Sequence, residues 1–582
     1  MRLLHVRLTE GSVRSVTQQL SDNWTVWVDP CGSGDSPPRP QRTCQRLLAV
    51  TETCGLNDRF MLRRLLTHTL RYSASSLLVT IAGFASFPIF TRVFTVEPYG
   101  MVGYVSSLLT FLTVFGKLGL QHSLVRFHAS VKAGKRDIDE RSYIRTVLVS
   151  MALVGVAAAA LGSAVVELLP PDLLSAHLAP MVLLTALWLV PLRSLDSAVN
   201  NLLRAQQRSG LLSLYTVLRR YTVLGVVLGA VLTVQTSLLS FFVATLVAEG
   251  LVTLWMVARL LRELRQPVTR EAEGVEASPA RADGPMLRSM LLFGLPMIAY
   301  EFSATVLNLS DRFLLERLRG AQELGLYAAA YNMCEYAAVI LIASLAQAST
   351  PMAVKLWEEQ GPAATAAFIG RALHVYLLAA GLLLALGAAL AQDALAVLAS
   401  AAYRGGAVVV PAVLAGLLLN GCEPLLAVGL QIRKRTGVRV LLMSFSALLN
   451  IGLNLIFIPL WGLQGAALGT LVSFGVFLSA ATYQGRRLVW VDVPWELLIK
   501  LGLIGFLAFE AVSWLRGDNP WLNLLVGPPV GVAVYALLLL LLDEHSRSLL
   551  PRLLGPVVQR VCGPRVAARL GRMASQPDPS PG

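Results

Sequence analysis

Between residues 70 and 541 the chain alternates apolar stretches about 20 residues long with short polar breaks. About 20 residues of helix cross the ~30 Å hydrocarbon layer of a bilayer, where the backbone finds no hydrogen-bond partner outside its own helix. The pattern predicts 14 such spans, at roughly 72–92, 100–119, 147–168, 177–196, 212–233, 238–258, 288–310, 325–347, 370–390, 408–429, 439–459, 464–484, 497–515 and 522–542. Several pairs are parted only by a hairpin break, as between Thr95 and Pro98, Pro459 and Gly462, or Gly517 and Pro520. The expected fold class is therefore an all-α polytopic membrane protein. Composition agrees: 55% of the 582 residues are hydrophobic and 14% are charged, against about 25% charged in a soluble domain.

The basic residues assign a side. Arg126, Lys132, Lys135, Arg136, Arg141 and Arg145 follow the second span, and Arg204, Arg208, Arg219 and Arg220 surround the next even-numbered end. Arg259, Arg262 and Arg265 follow the sixth, Arg433, Lys434 and Arg435 the tenth, and Arg486 and Arg487 the twelfth. The opposite loops are poor in cations. The exception is 311–325, where Arg312, Arg317 and Arg319 are balanced by Asp311, Glu316 and Glu323. The positive-inside bias places both termini in the cytoplasm. It also accounts for most of the net charge of +14. Charge spread over successive loops is not a nucleic-acid footprint, so no nucleic-acid partner is expected.

The chain echoes itself at an offset of about 225. Glu97-Pro98-Tyr99-Gly100 precedes the second span as Glu323-Leu324-Gly325-Leu326-Tyr327 precedes the eighth, and Leu203–Gly210 is matched by Leu430–Gly437. An offset of six spans preserves orientation, so two parallel-repeat six-helix bundles are expected, with two additional C-terminal helices outside the repeat. The domains follow: an N-terminal bundle at 61–265, a cytoplasmic linker at 266–287, a second bundle at 288–490, the added pair at 491–545 and a basic cytoplasmic tail at 546–582. Residues 1–60 are of different composition and are expected to be a disordered or mis-assigned extension, with Met61 a natural start. Cys31, Cys44 and Cys54 there, and Cys334, Cys422 and Cys562 elsewhere, match no metal or disulfide spacing, and no metal or cofactor is expected.

Charge inside the apolar layer is costly unless it meets a partner or a wet cavity. Lys117 and Glu301 are the leading cavity candidates, because neither has a charged neighbour at helical spacing. Glu249, Glu335, Glu423 and Glu510 also fall within spans, whereas Arg92, Arg126, Arg193, Asp196 and Asp311 lie nearer span ends, where snorkelling is open to them. Asn420, Asn450 and Asn454 either line a polar path or cross-link helices. Gly294-Leu295-Pro296 is expected to interrupt the seventh helix. No phosphate loop, dinucleotide fingerprint or zinc-protease motif occurs, and the seven histidines are dispersed. The chain does not read as an enzyme.

Three segments carry a resemblance: FPIFTRVFTVEPYGMVGYVSSLLTFLTVFGKLGLQHSLVRF (88–127), LLFGLPMIAYEFSATVLNLSDRFLLERLRGAQELGLYAAAYNM (291–333) and LLMSFSALLNIGLNLIFIPLWGLQGAALGTLVSF (441–474). Together they resemble the bacterial O-antigen and exopolysaccharide flippases, of the superfamily that also holds multidrug/toxin exporters and lipid II flippases. The resemblance implies two bundles facing each other across a cavity, in the bacterial inner membrane, turning an isoprenoid-diphosphate-linked glycan from the cytoplasmic to the outer leaflet. It implies cationic substrate contacts, for which Arg92, Lys117, Arg126 and Arg312 occupy the comparable stretches, joined by Asn420 and Asn450 on the polar path. Glu301, Asp311 and Glu423 are the candidates for coupling to a proton or sodium gradient. A monomer is expected, alongside glycosyltransferases and a glycan polymerase as working partners. The rival readings are a cation-coupled drug exporter, favoured by a compact, aromatic, acidic cavity, and a lipid II flippase, which span count does not separate.

Overall fold

A computed structural model describes residues 75–543 and 547, apart from 136–137, 169–178, 266–283, 434 and 488. The predicted N-terminal extension, most of the linker and the basic tail lie outside the described residues. The rest is helical, and 14 helices are long and apolar enough to cross a membrane. They are α1 (Ser75–Val93), α2 (Val96–Lys117), α3 (Glu140–Leu168), α4 (Pro180–Ala205), α5 (Ser209–Thr233), α6 (Leu238–Leu264), α7 (Gly284–Arg319), α8 (Ala321–Ile342), α9 (Met352–Ala389), α10 (Ala401–Leu426), α11 (Thr436–Trp461), α12 (Leu463–Arg486), α13 (Trp495–Trp514) and α14 (Pro520–Leu542).

The differences from expectation have local causes. The fourth span was expected at 177–196 but continues to Ala205, which brings Arg193 and Asp196 into its interior. Helix α8 does not end at a polar loop: helical structure continues from Ala321 to Ala389, broken at Gly361, whose φ of 83° is open to glycine and poor for other residues. Helix α7 continues through Pro296 without interruption. A short amphipathic helix, Leu120–Lys132, follows α2 after Leu118 and Gly119, both left-handed with φ of 43° and 68°.

Within the first six spans α3 packs on α4 and α5 on α6; among the later ones α11 packs on both α7 and α12. Helix α13 lies with α14 against α9, where Ala385, Leu501, Ile504 and Tyr535 share an apolar cluster. Helix α2 joins the two sets of spans, at two places. At its start, a Cβ on Gly100 would lie 2.7 Å from the Gly325 nitrogen and 2.8 Å from the Ala321 carbonyl oxygen, so α2 and α8 touch backbone to backbone. Around this contact Phe94, Tyr99, Tyr327 and Tyr403 belong to one buried apolar core. Beyond its end the contact is with α7. A Cβ on Gly294 would lie 2.7 Å from the Gly119 carbonyl oxygen, and the Ser123 hydroxyl donates to the Met290 carbonyl at 2.5 Å. The polar interior lies between these two zones.

Candidate substrate cleft

Two cavities of about 490 and 360 Å³ adjoin between α2, α4, α5, α7 and α8, sharing Thr110, Glu301 and Thr305 in their walls. Glu301 is the shared carboxylate. It receives the Lys117 ammonium at 2.5 Å and the Gln121 amide at 2.5 Å, with His122 at 3.5 Å. All three donors come from the end of α2 or the helix after it, so one acid from α7 fastens the second contact zone. Lys117 and Glu301, expected to be cavity residues, are both in the wall and bound to each other.

Arg312 projects from α7 into the smaller cavity. It is 8% exposed. Its guanidinium donates to the Ser107 hydroxyl of α2 at 3.2 Å and lies 5.1 Å over the Tyr331 ring. Its Nε has no partner, and no carboxylate among the described residues forms an ion pair with it. The adjacent Asp311 turns the other way and is fully buried. That carboxylate accepts from the Tyr327 hydroxyl, from Thr470 at 3.4 Å and from the Arg312 backbone N–H at 2.8 Å. Asn450 extends this network: its carbonyl oxygen accepts from Ser310 at 2.8 Å and from Asn454 at 3.0 Å, while its amide reaches Thr470 at 3.4 Å. The smooth face of α12 permits this, since a Cβ on Gly469 would stand 2.5 Å from the Asn454 carbonyl oxygen. Asn450 is thus a buried cross-link between α7, α11 and α12.

Glu335 lines the smaller cavity with Arg312, and the other residues expected to bind substrate or couple to an ion lie elsewhere. Arg92 donates to the Leu398 carbonyl at 3.1 Å and the Val397 carbonyl at 2.5 Å, satisfying the end of the short helix Ala391–Leu398. Arg126 is exposed and stacks 4.3 Å over Phe293. Glu423 is buried against Arg439 at 2.9 Å. Asn420 is half-buried on α10 and lines neither cavity.

Beside the larger cavity lies an ion-pair group whose members the charge pattern names singly and does not connect. Arg219 of α5 bridges Asp196 at 3.2 Å and Glu249 at 3.1 Å, and Arg193 approaches Glu249 at 3.6 Å. Arg204, Asn200, Asn201 and Ser197 line the same wall. The signal that finds them is helical spacing: 193, 196, 197, 200, 201 and 204 fall on one face of α4, while Leu195, Ala198, Val199, Leu202 and Leu203 are buried on the other.

The family profile described as polysaccharide biosynthesis protein matches residues 65–357. The chain belongs to that family. No curated protein sequence matches it. Among solved structures it is similar to the lipid II flippase MurJ in an inward closed conformation, with a TM-score of 0.67, 14% identity, and coverage of 82% of this chain and 99% of that one. It is also similar to an inward-facing multidrug resistance MATE family transporter of the MOP superfamily, with a TM-score of 0.58, 14% identity, and coverage of 72% and 97%. A MOP superfamily transporter from Pyrococcus furiosus gives 0.53, 13%, 72% and 95%. At these identities the likeness is one of fold.

Proposed function

We propose that this polysaccharide biosynthesis protein flips isoprenoid-diphosphate-linked glycan repeat units across the bacterial inner membrane by alternating access. One observation carries the reading: Arg312 is a buried guanidinium in the wall of a polar cleft, with no ion-paired carboxylate among the described residues. A diphosphate supplies the missing anion, and charge-assisted bonds to guanidinium are the strong ones. Unaided, the same headgroup would drag its charges through hydrocarbon, whereas in the cleft only its isoprenoid tail need remain in lipid. Cavities of 490 and 360 Å³ suit a headgroup of a few sugars better than a polymer. The larger cavity, with Lys117, Arg193, Arg204 and Arg219 against Asp196 and Glu301, also favours this reading over a drug exporter's acidic, aromatic cavity, while the smaller one sets Arg312 among Glu301, Glu335, Tyr300 and Tyr331.

In the same proposal α1–α6 and α7–α12 are the two rocking bundles, both termini are cytoplasmic, and Lys117 serves the diphosphate once Glu301 releases it. Asp311 is the coupling carboxylate, since it is fully buried and meets the Tyr327 and Thr470 hydroxyls, with Asn450 and Asn454 further along the same network, a setting able to hold a proton or a sodium ion. Glycosyltransferases supply the substrate and a polymerase consumes it. Deletion of the gene tests the proposal. Isoprenoid-linked oligosaccharide should accumulate on the cytoplasmic face while surface polysaccharide disappears. An unchanged surface with altered drug sensitivity instead supports the exporter reading.

A further inference from the structure

A polar face of three turns on a membrane helix is expensive unless something in the cleft uses it. On α4 that face is Arg193, Asp196, Ser197, Asn200, Asn201 and Arg204, all lining the larger cavity. The two asparagines are held in a particular way. The Asn200 amide nitrogen donates to the Asp196 backbone carbonyl at 2.8 Å and its carboxylate at 2.9 Å. The Asn201 amide nitrogen donates to the Ser197 backbone carbonyl at 2.9 Å. Each nitrogen is thus spent on its own helix, one turn back. Each carbonyl oxygen accepts nothing among the described residues, and both residues line the cavity. The two oxygens are fixed acceptors, already oriented, so a ligand bearing hydroxyl or amide N–H groups binds them without ordering a side chain first.

A phosphate offers only acceptors to such oxygens, and an isoprenoid offers nothing. Sugars offer hydroxyl and N-acyl donors. We infer that Asn200 and Asn201 read the glycan: they are specificity-determining residues for the sugar nearest the diphosphate, which Arg312 holds in the adjoining cavity. This rests on the proposed flippase function and adds a division of labour to it, with the diphosphate met by Arg312 and Lys117 and the hydroxyl pattern read by the two asparagines.

The test measures binding of two probes to the purified full chain in detergent. One is a long-chain isoprenyl diphosphate; the other is the same lipid carrying a single N-acetylhexosamine. The wild type is expected to bind the sugar-bearing lipid more tightly. The Asn200→Leu/Asn201→Leu variant, of similar side-chain volume, should lose about tenfold for that probe, the worth of one to two hydrogen bonds. Its affinity for the bare diphosphate should stay within about twofold. Arg312→Gln should weaken both probes alike. Equal losses for the two probes in the asparagine variant, or no preference in the wild type, overturn the inference and leave the flippase reading standing. Failure of the wild type to bind either probe overturns both.

Discussion

Arg312→Met should leave stability nearly unchanged while sharply lowering activity. In the resting structure the guanidinium makes one hydrogen bond to Ser107 at 3.2 Å and one ring contact at 5.1 Å. These are worth about 1.5–3 kcal/mol, the hydrogen bond coming from a charged group, and about 1–2 kcal/mol. Against them stands the desolvation of a charge that is only 8% exposed and has no ion-pair partner, which costs several kcal/mol per buried ion. The cleft relieves part of that cost, so the two sides nearly cancel and the substitution should shift stability by no more than about 1 kcal/mol. Function has no such cancellation. Two charge-assisted bonds to a diphosphate, at about 1.5–3 kcal/mol each, correspond to a loss of at least about a hundredfold in binding. The assays are the melting midpoint of the detergent-solubilised protein and flipping of a fluorescent isoprenyl-diphosphate sugar in proteoliposomes. A midpoint lowered by several degrees, with transport falling only as the folded fraction falls, would show Arg312 to be a packing residue and refute the reasoning.

Other consequences are open to measurement. Glu301→Gln removes the charge that holds Lys117, Gln121 and His122; with exposures of 15% and 25% the Lys117–Glu301 pair is discounted to about 1–2 kcal/mol. Spin labels on the Leu120–Lys132 helix and the start of α7 should report roughly a tenfold rise in the separated population, and an unaltered distance distribution contradicts the clasp. Gly325→Ala drives a methyl into the Val96 carbonyl, where Gly475 has nothing within 4 Å. The first substitution should cost about 1–3 kcal/mol of stability and Gly475→Ala close to none, and equal effects in thermal melts would dismiss the backbone seam. Asp311→Asn should leave substrate binding intact while abolishing the acceleration of flipping by an imposed proton or sodium gradient. Retained gradient dependence moves the coupling site elsewhere.

The helices were legible because lipid leaves the backbone no alternative, so length and apolarity alone mark each span. Pairings across the fold were not. Lys117 and Glu301 were singled out because each lacked a charge at helical spacing, but they are 184 residues apart and nothing local shows that they meet. Arg92 had the right charge in the right stretch, yet its partners are backbone carbonyls at Val397 and Leu398, which carry no side-chain signature. The α4 face was legible by its spacing and went unused, because a span ending at 196 makes Arg193 and Asp196 terminal. Extending the helix to Ala205 turns the same residues into the centre of a wall. Asn420 and Asn450 look alike in sequence and differ because only Asn450 faces Ser310 and Thr470 across neighbouring helices.

The pairing of Lys117 with Glu301 and of Arg193 and Arg219 with Glu249 and Asp196 bears on the half of the cycle in which nothing is carried. A transporter must reset unloaded, and bare cations swinging past hydrocarbon would make that return stroke slow. Here Lys117, Arg193 and Arg219 in the cavity wall already have carboxylate partners in place when no cargo is bound. Internal neutralisation of this kind lets turnover proceed without escorting a stray anion home.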